Sequence, residues 1–295
     1  MMFERLKIGE PYFLRNLIVY PVLGGDDGDY LTIEEARQRG FLKISDTGVV
    51  NEAKLDFGGG GNLFVLDGEE IVGALQNRVF NTSMVASKPI EVKVPVTCVE
   101  QNRWSGDREF FHSGIVAYPS LRSILASSVT RSLKLTRSFK ANQSAVWKSV
   151  RNTLKSFRVN SVTSSMHDVY STLRDEIEGF VEDSEFSEDA RGFIVIAGKK
   201  ILGMDIFVGP GLFKKMKEKL LKGYALEALG SMMHGRGELS EYEVKEFMNY
   251  VFSKDYMVTD GVIEGKELRF ADKKAVAHAL KLNDEVIHFA AFPVY

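Results

Sequence analysis

The chain has 295 residues, 44% of them hydrophobic, and a formal net charge of -2 from 38 Lys and Arg against 40 Asp and Glu. That is ample apolar material for a core, and a balance that creates no global field toward nucleic acid or a membrane surface. The single cysteine, Cys98, excludes an intrachain disulfide framework and a Cys-based zinc finger. The opening MMFERLKIGEPYF lacks the apolar core of a signal peptide, and no run of 18 or more apolar residues occurs. A cytoplasmic protein with no membrane partner is the expectation.

Residues 17–22 (LIVYPV) read as a first strand, with Pro21 suggesting a sheet edge or a strand end. Thr32 and Glu35 form a capping box that opens a short helix stopped by Gly40, and a strand at 41–44 follows. Four glycines at 58–61 suggest a phosphate loop, but no Lys-Ser or Lys-Thr follows them, which favours a flexible linker. Apolar runs at 63–66, 71–75 and 90–99 read as buried strands, the first two joined by an Asp67-Gly68 turn suited to a tight hairpin.

Two polar clusters interrupt these strands: Gln76, Asn77 and Arg78 with Asn81, Thr82 and Ser83, then Glu100, Gln101, Asn102, Arg103 and Trp104. Loops usually turn on Gly, Pro, Ser and Asp. Amides with a guanidinium suit a phosphate, a carboxylate or a nucleobase edge. On a strand Gln76 and Arg78 share one face and Asn77 takes the other, so some of these groups must be buried and hydrogen-bonded or face a cleft. A structural network bracing two layers is the competing account.

Residues 110–167 contain no Asp or Glu but nine bases, Arg122, Arg131, Lys134, Arg137, Lys140, Lys148, Arg151, Lys155 and Arg158. Between 142 and 157, Val146, Trp147, Val150, Leu154 and Phe157 recur at helical spacing, which puts Lys148, Arg151 and Lys155 on another face. Residues 168–191 invert the sign, with nine acids and a second stripe of Val169, Leu173, Ile177 and Phe180. Two helices pairing through oppositely charged rims explain this without a ligand; phosphate contacts to a nucleotide or RNA are the alternative.

Residues 192–205 (GFIVIAGKKILGMD) repeat the outline of 62–75 at an offset of 130, with four identities in fourteen, and predict a second strand, glycine turn and strand. A long helix is expected from Pro210 to Leu229, and another from a Ser240 to Glu243 capping box with Val244, Phe247, Met248 and Val251 inward. The chain returns to strands at 258–263, 267–270 and 286–294, with a short helix at 273–280. The class is α+β, with mixed or antiparallel sheets in two hairpin-centred halves. One domain over 1–295 is expected, with sub-halves 1–113 and 190–295 around a helical segment 114–189.

The order LDGEE, GALQNR, NTS and VPVTCVEQNRW, continued by QSAVW (143–147), GKKILGMDIF (198–207) and KLLKGYALEAL (219–229), resembles a bacterial and archaeal family over nearly the whole chain. That family is named for its association with ADP-ribosylglycohydrolases and rhodanese-phosphatase-superfamily proteins. The resemblance carries no reaction with it. It implies an ADP-ribose or NAD-derived context, and it makes Glu69 and Glu70 part of a family motif.

The reading is therefore a protein that binds, and hydrolyses or transfers, a phosphorylated or ribosylated small molecule. Arg78 and Arg103 clamp anionic oxygens, Gln76, Asn77, Asn81 and Ser83 orient polar edges, and Trp104 stacks on a ring or caps the core. Glu69, Glu70, Glu100 or Asp205 supplies the acid or base. Glu69 and Glu70 also read as solvated turn residues, because Lys199 and Lys200 occupy the matching places of the second hairpin. Asp205, set among apolar residues, is paired with Arg78 or catalytic. Cys98 is a small core residue rather than a nucleophile. His112, His167, His234, His278 and His288 show no zinc spacing, and a divalent metal held by carboxylates and a homo-oligomer stay open. The alternative function is a non-catalytic interaction protein with a basic surface for a partner or RNA.

Overall fold

A computed structural model describes residues 6–26, 28–182, 184–231 and 241–295. His234 and Ser240 lie outside the described residues. In chain order the first elements are β1 (Lys7–Ile8), β2 (Tyr12–Leu14), β3 (Leu17–Leu23), β4 (Tyr30–Leu31), α1 (Ile33–Gln38), β5 (Leu42–Asp46) and β6 (Glu52–Phe57). Then come β7 (Asn62–Val65), β8 (Glu69–Gly73), β9 (Arg78–Phe80), β10 (Met84–Ala86), β11 (Ile90–Cys98) and β12 (Glu109–Val116). Four helices follow, α2 (Pro119–Thr136), α3 (Gln143–Ser156), α4 (Met166–Thr172) and α5 (Arg174–Val181). The chain ends with β13 (Ala190–Ala197), β14 (Lys200–Phe207), α6 (Pro210–Ser231), α7 (Glu241–Phe252), β15 (Met257–Asp260), β16 (Lys266–Ala271), β17 (Ala275–Leu282) and β18 (Glu285–Pro293). The protein is α+β.

The chain forms two compact units, a sheet unit from Met1–Gly28, Asp175–Asp260 and Gly265–Tyr295, and a barrel unit from Asp29–Arg174 and Gly261–Glu264. The sheet unit is a nine-stranded antiparallel sheet in the order β1-β3-β13-β14-β18-β17-β16-β15, with β2 also on β3. Strand alternation divides its side chains between two faces. Met204, Ile206, Ala277, Ala279, Phe289 and Ala291 pack with Val244, Met248 and Val251 of α7. Across the sheet, Phe193 meets the Phe213 and Tyr224 rings of α6 edge-on at 5.3 and 5.4 Å.

In the barrel unit β11, β6, β5, β12, β8 and β9 close a barrel, and β10-β7-β4 form a small separate sheet. Closure satisfies every strand edge without a partner. Its core joins Ile44, Leu55, Phe57, Ile71, Phe80, Val96 and Phe110. The Thr32–Glu35 capping box is present at α1, each partner closing on the other's backbone N–H. Helices α2 and α3 pack together, the α2 cap residue Tyr118 reaching Ser149 at 3.0 Å and Thr153 at 2.9 Å near the end of α3, so the two run antiparallel.

Three sequence expectations need correction. Residues 63–75 do not form a hairpin: β7 pairs with β10 and β4, whereas β8 pairs with β9 and β12 in the barrel. The turn between them changes sheets because Asp67 is held inside the protein, as described below. The second repeat does form a hairpin, β13 with β14. Residues 273–280 are not a helix but β17, between β16 and β18. Alanine favours helix locally, yet small side chains also suit a strand buried on both faces, and the tertiary position decides. The acidic stripe is broken, since α4 ends at Leu173 before α5 begins. β3, which carries Pro21, lies between β13 and the β1 and β2 pair, and Pro21 sits near its end.

Candidate functional site

Register fixes which way the charged residues of β8 and β9 point. Ile71 and Cys98 lie opposite Arg78 on neighbouring strands, and Ile71 and Phe80 belong to the barrel core, so Arg78 points into the barrel. Its guanidinium bonds Asp46 Oδ2 at 2.7 Å and the carbonyls of Glu52 and Val49 at 2.6 and 3.1 Å, over the Phe110 ring. Both charged side chains are fully buried. The partner of Arg78 is thus Asp46. Asp205 instead accepts from Tyr224 at 2.7 Å and meets His288 Nε2 at 3.1 Å, on the α6 face of the sheet unit. Cys98, beside Arg78, has its thiol pushed up to about 11 by burial, against the pull of that guanidinium. An unionised thiol is no nucleophile at neutral pH.

Glu70 has the opposite parity and faces out of the barrel, toward α4. Its side chain is fully buried, and Oε2 lies 2.9 Å from His167 Nδ1. The histidine side chain keeps 35% of its exposure. Glu70 Oε1 is buried with no hydrogen-bond partner among the described residues. The backbone beside it is irregular: β12 shifts register against β8 between His112 and Val116, Gly114 takes φ 72°, and Ser113 Oγ donates to the Glu70 carbonyl at 3.2 Å. Bulges of this kind re-aim side chains and gather near active sites.

His167 starts α4 just after the cap Ser165, whose hydroxyl accepts from the His167 N–H at 3.2 Å. Ser165 also forms a strand-like bridge with Glu100 and receives Asn77 Nδ2 at 3.4 Å. Glu100 Oε2 accepts the Asn77 N–H at 3.0 Å and Arg103 at 2.7 Å. Arg103 further donates to the carbonyls of Ala74 and Ser105 at 2.7 Å, to Gly73 at 3.0 Å and to Asn77 Oδ1 at 3.1 Å. Ala74 has φ 43°, a costly conformation for a residue with a Cβ, and Arg103 holds it there. Gln76 is tied in through Gln101, whose carbonyl it reaches at 3.2 Å.

The structure therefore joins Glu70, Gln76, Asn77, Glu100 and Arg103 in one network around His167. It places the other sequence-predicted residues elsewhere. Glu69 is buried and accepts from Leu66 N at 3.3 Å, so neither glutamate is a solvated turn residue. Asn81 bonds Thr97 and the Phe139 carbonyl at 2.6 and 2.9 Å, and Ser83 bonds Asp67 at 3.1 Å. Arg122 grips Asp67 through two bonds of 3.0 Å, both groups buried. Trp104 is 51% exposed beside the network. Arg103 spends its donors on the protein itself, and Arg78 does so through both terminal nitrogens, its Nε being buried without a hydrogen-bond partner among the described residues. A cavity of about 380 Å³ in the sheet unit, lined by Phe186, Phe213, Lys214 and Lys217 among others, includes none of these residues.

His167 was not singled out by sequence reasoning. Its carboxylate partner lies 97 residues away, beyond any spacing rule, and the only local signal was the serine cap before it. The Glu70 hydrogen bond, against an opposing effect of burial and with help from the Glu70, Asp168 and Glu100 charges, lifts His167 above the ordinary imidazole value. Burial pushes Glu100 up, but bonds from Arg103 and Asn77 outweigh it and hold this carboxyl below its usual range. The raised imidazole fixes a sign: its contribution to stability is complete below the unfolded value of about 6.5 and fades as pH rises through the folded one. Urea unfolding of wild type and His167→Asn should therefore show a larger gap near pH 5.5 than near pH 8.5; a gap that does not change with pH would mean that His167 carries no proton shared with Glu70.

The barrel unit thus holds a buried carboxylate against a partly exposed imidazole, beside a braced polar network. Residues 5–292 match the family model described as ARG and Rhodanese-Phosphatase-superfamily-associated Protein domain, and the chain belongs to that family. No curated protein and no solved structure gives a significant match. No helix among the described residues is long and apolar enough to cross a membrane.

Proposed function

We propose that the barrel unit binds and hydrolyses a phosphorylated or ribosylated nucleotide of the ADP-ribose or NAD class, with His167 as the proton-transfer group. The observation that carries this is the buried Glu70 carboxylate 2.9 Å from a half-exposed imidazole. With Nδ1–H donated to Glu70, the other ring nitrogen presents a lone pair outward. It takes the proton of a water whose oxygen bonds to the anomeric carbon or to phosphorus. The bond to the leaving group breaks with its electron pair, and the protonated imidazole returns a proton to that group. Asn77, Glu100 and Arg103 are positioning residues in this reading, and Trp104 is the exposed ring available to a base. The choice of nucleotide is supported by the ADP-ribosylglycohydrolase association in the family's name.

ADP-ribose should raise the melting temperature of the wild type, since a ligand at about 100 times its Kd adds roughly 2.7 kcal/mol. Trp104→Ala, at an exposed position, should shrink that shift and leave the ligand-free melting temperature unchanged. Absence of any shift with ADP-ribose, NAD and ADP would sink the reading.

A further inference from the structure

The basic tract of the sequence is not consumed by the fold. Arg131 and Lys134 on α2, and Lys148, Arg151, Lys155 and Arg158 along and just beyond α3, are all exposed. Among the described residues none of the six forms an ion pair. The apolar stripe of α3, Val146, Val150 and Leu154, is buried, and Gln143 at its start is bonded to both backbone groups of Cys98 on β11. The basic stripe is therefore the outward one. Lys148 to Lys155 covers about 10 Å of helix axis at roughly 1.5 Å per residue.

This stripe leads to the candidate site. Arg151 is hydrogen-bonded to the Gln101 side chain, and Gln101 and Asn102 in turn bond the Thr163 carbonyl on the loop that enters α4. Trp104, half exposed, follows shortly after Gln101. We infer that the outward face of α2 and α3 binds the backbone of a single-stranded nucleic acid and leads a terminal or modified nucleotide of that strand to His167. The substrate class would then be a nucleotide unit carried on a phosphodiester chain rather than a free mononucleotide. Strand binding stands on the charge pattern alone; delivery to His167 rests on the function proposed above.

Three features favour a nucleic acid strand. A row of exposed bases that form no ion pair among the described residues complements a regular polyanion. The exposed Trp104, three residues after the Gln101 that bonds Arg151, gives a base something to stack on, and stacking tolerates any sequence. A membrane surface is disfavoured because the apolar stripe of α3 is already buried and the exposed apolar side chains near it, Leu135 and Val162, are single residues rather than a stripe.

The test is fluorescence anisotropy with a fluorescein-labelled oligouridylate of about 12 nucleotides, within the usual site size, against the full chain at several salt concentrations. With about four phosphate contacts, log K should fall with log salt at a slope near -2.8. The Lys148→Glu, Lys155→Glu, Arg158→Glu triple variant should bind at least tenfold more weakly and lose about two units of slope. Its melting temperature, and its shift with ADP-ribose, should match wild type. If the triple variant fails to fold, Lys148→Gln with Lys155→Gln replaces it, with about two-thirds of that loss of slope. Equal affinity of variant and wild type, salt-independent binding, or preference for phosphatidylserine vesicles or for a duplex of the same length each overturns the inference. Loss of strand binding in the triple variant without any ADP-ribose shift in wild type would support strand binding and remove the proposed hydrolysis.

Discussion

Arg78→Ala should destabilise the barrel unit by about 3–5 kcal/mol, the usual result of stranding one member of a buried ion pair. Asp46 would be left buried inside the barrel with its 2.7 Å partner gone. The carbonyls of Val49 and Glu52 would lose their donor, and the Phe110 ring its cation. Burying two charges is itself expensive, so a double change to apolar residues, Asp46→Leu with Arg78→Met, should recover most of the loss. Urea unfolding followed by the fluorescence of Trp104 and Trp147, both in the barrel unit, reports on that unit, and far-ultraviolet circular dichroism on the whole chain, so separate transitions of the two units would be visible. A stable Arg78→Ala protein that has lost its response to ADP-ribose would reverse the assignment and make Arg78 a ligand clamp, as its residue type first suggested.

The second large effect is on turnover. If His167 moves the proton, His167→Asn should lower kcat by about 10²–10⁴-fold against an ADP-ribosyl or nucleotide substrate, with little change in KM. Glu70→Gln should lose less, because the amide still orients the ring, but it also removes the charge that raises the imidazole. Where His167 acts as base, the rate climbs with pH through its titration, so Glu70→Gln should move that limb toward lower pH while reducing the plateau. A merely structural Glu70 would leave the pH profile where it was. Asn77→Ala and Arg103→Ala would not serve as controls, since both brace the same network.

Much of the strand content was legible because β-branched runs bounded by turns survive any topology. The limits of β7, β8 and β11 fall within a residue or two of the sequence reading. What joins to what was not legible there. Asp67-Gly68 has the composition of a hairpin turn, but the Asp67 carboxylate meets Arg122 from far along the chain, and the turn becomes a crossing between two sheets. The same holds for the site. Gln76, Asn77, Glu100 and Arg103 stood out as dense polar residues, and the structure does gather them. Which are buried braces and which face solvent depends on strand parity and on α4, and the latter supplies the histidine. β12 was not assigned as a strand, and α2 falls within the expected helical segment 114–189 although its Pro119 start was hidden by a serine-rich, weakly amphipathic sequence.

The order in which the sheet is stitched has a consequence for the chain as it leaves the ribosome. β3 emerges early, yet its neighbour β13 is made only after the whole barrel segment, with Leu23 waiting for Ala190. The barrel strands by contrast all fall between Leu42 and Val116, interrupted only by β7 and β10, so their pairing has the lower loop-closure cost and can proceed first. Until β13 is made, β3 is covered by β1 and β2 on one edge and offers the other as an apolar ribbon open to pairing with a wrong neighbour.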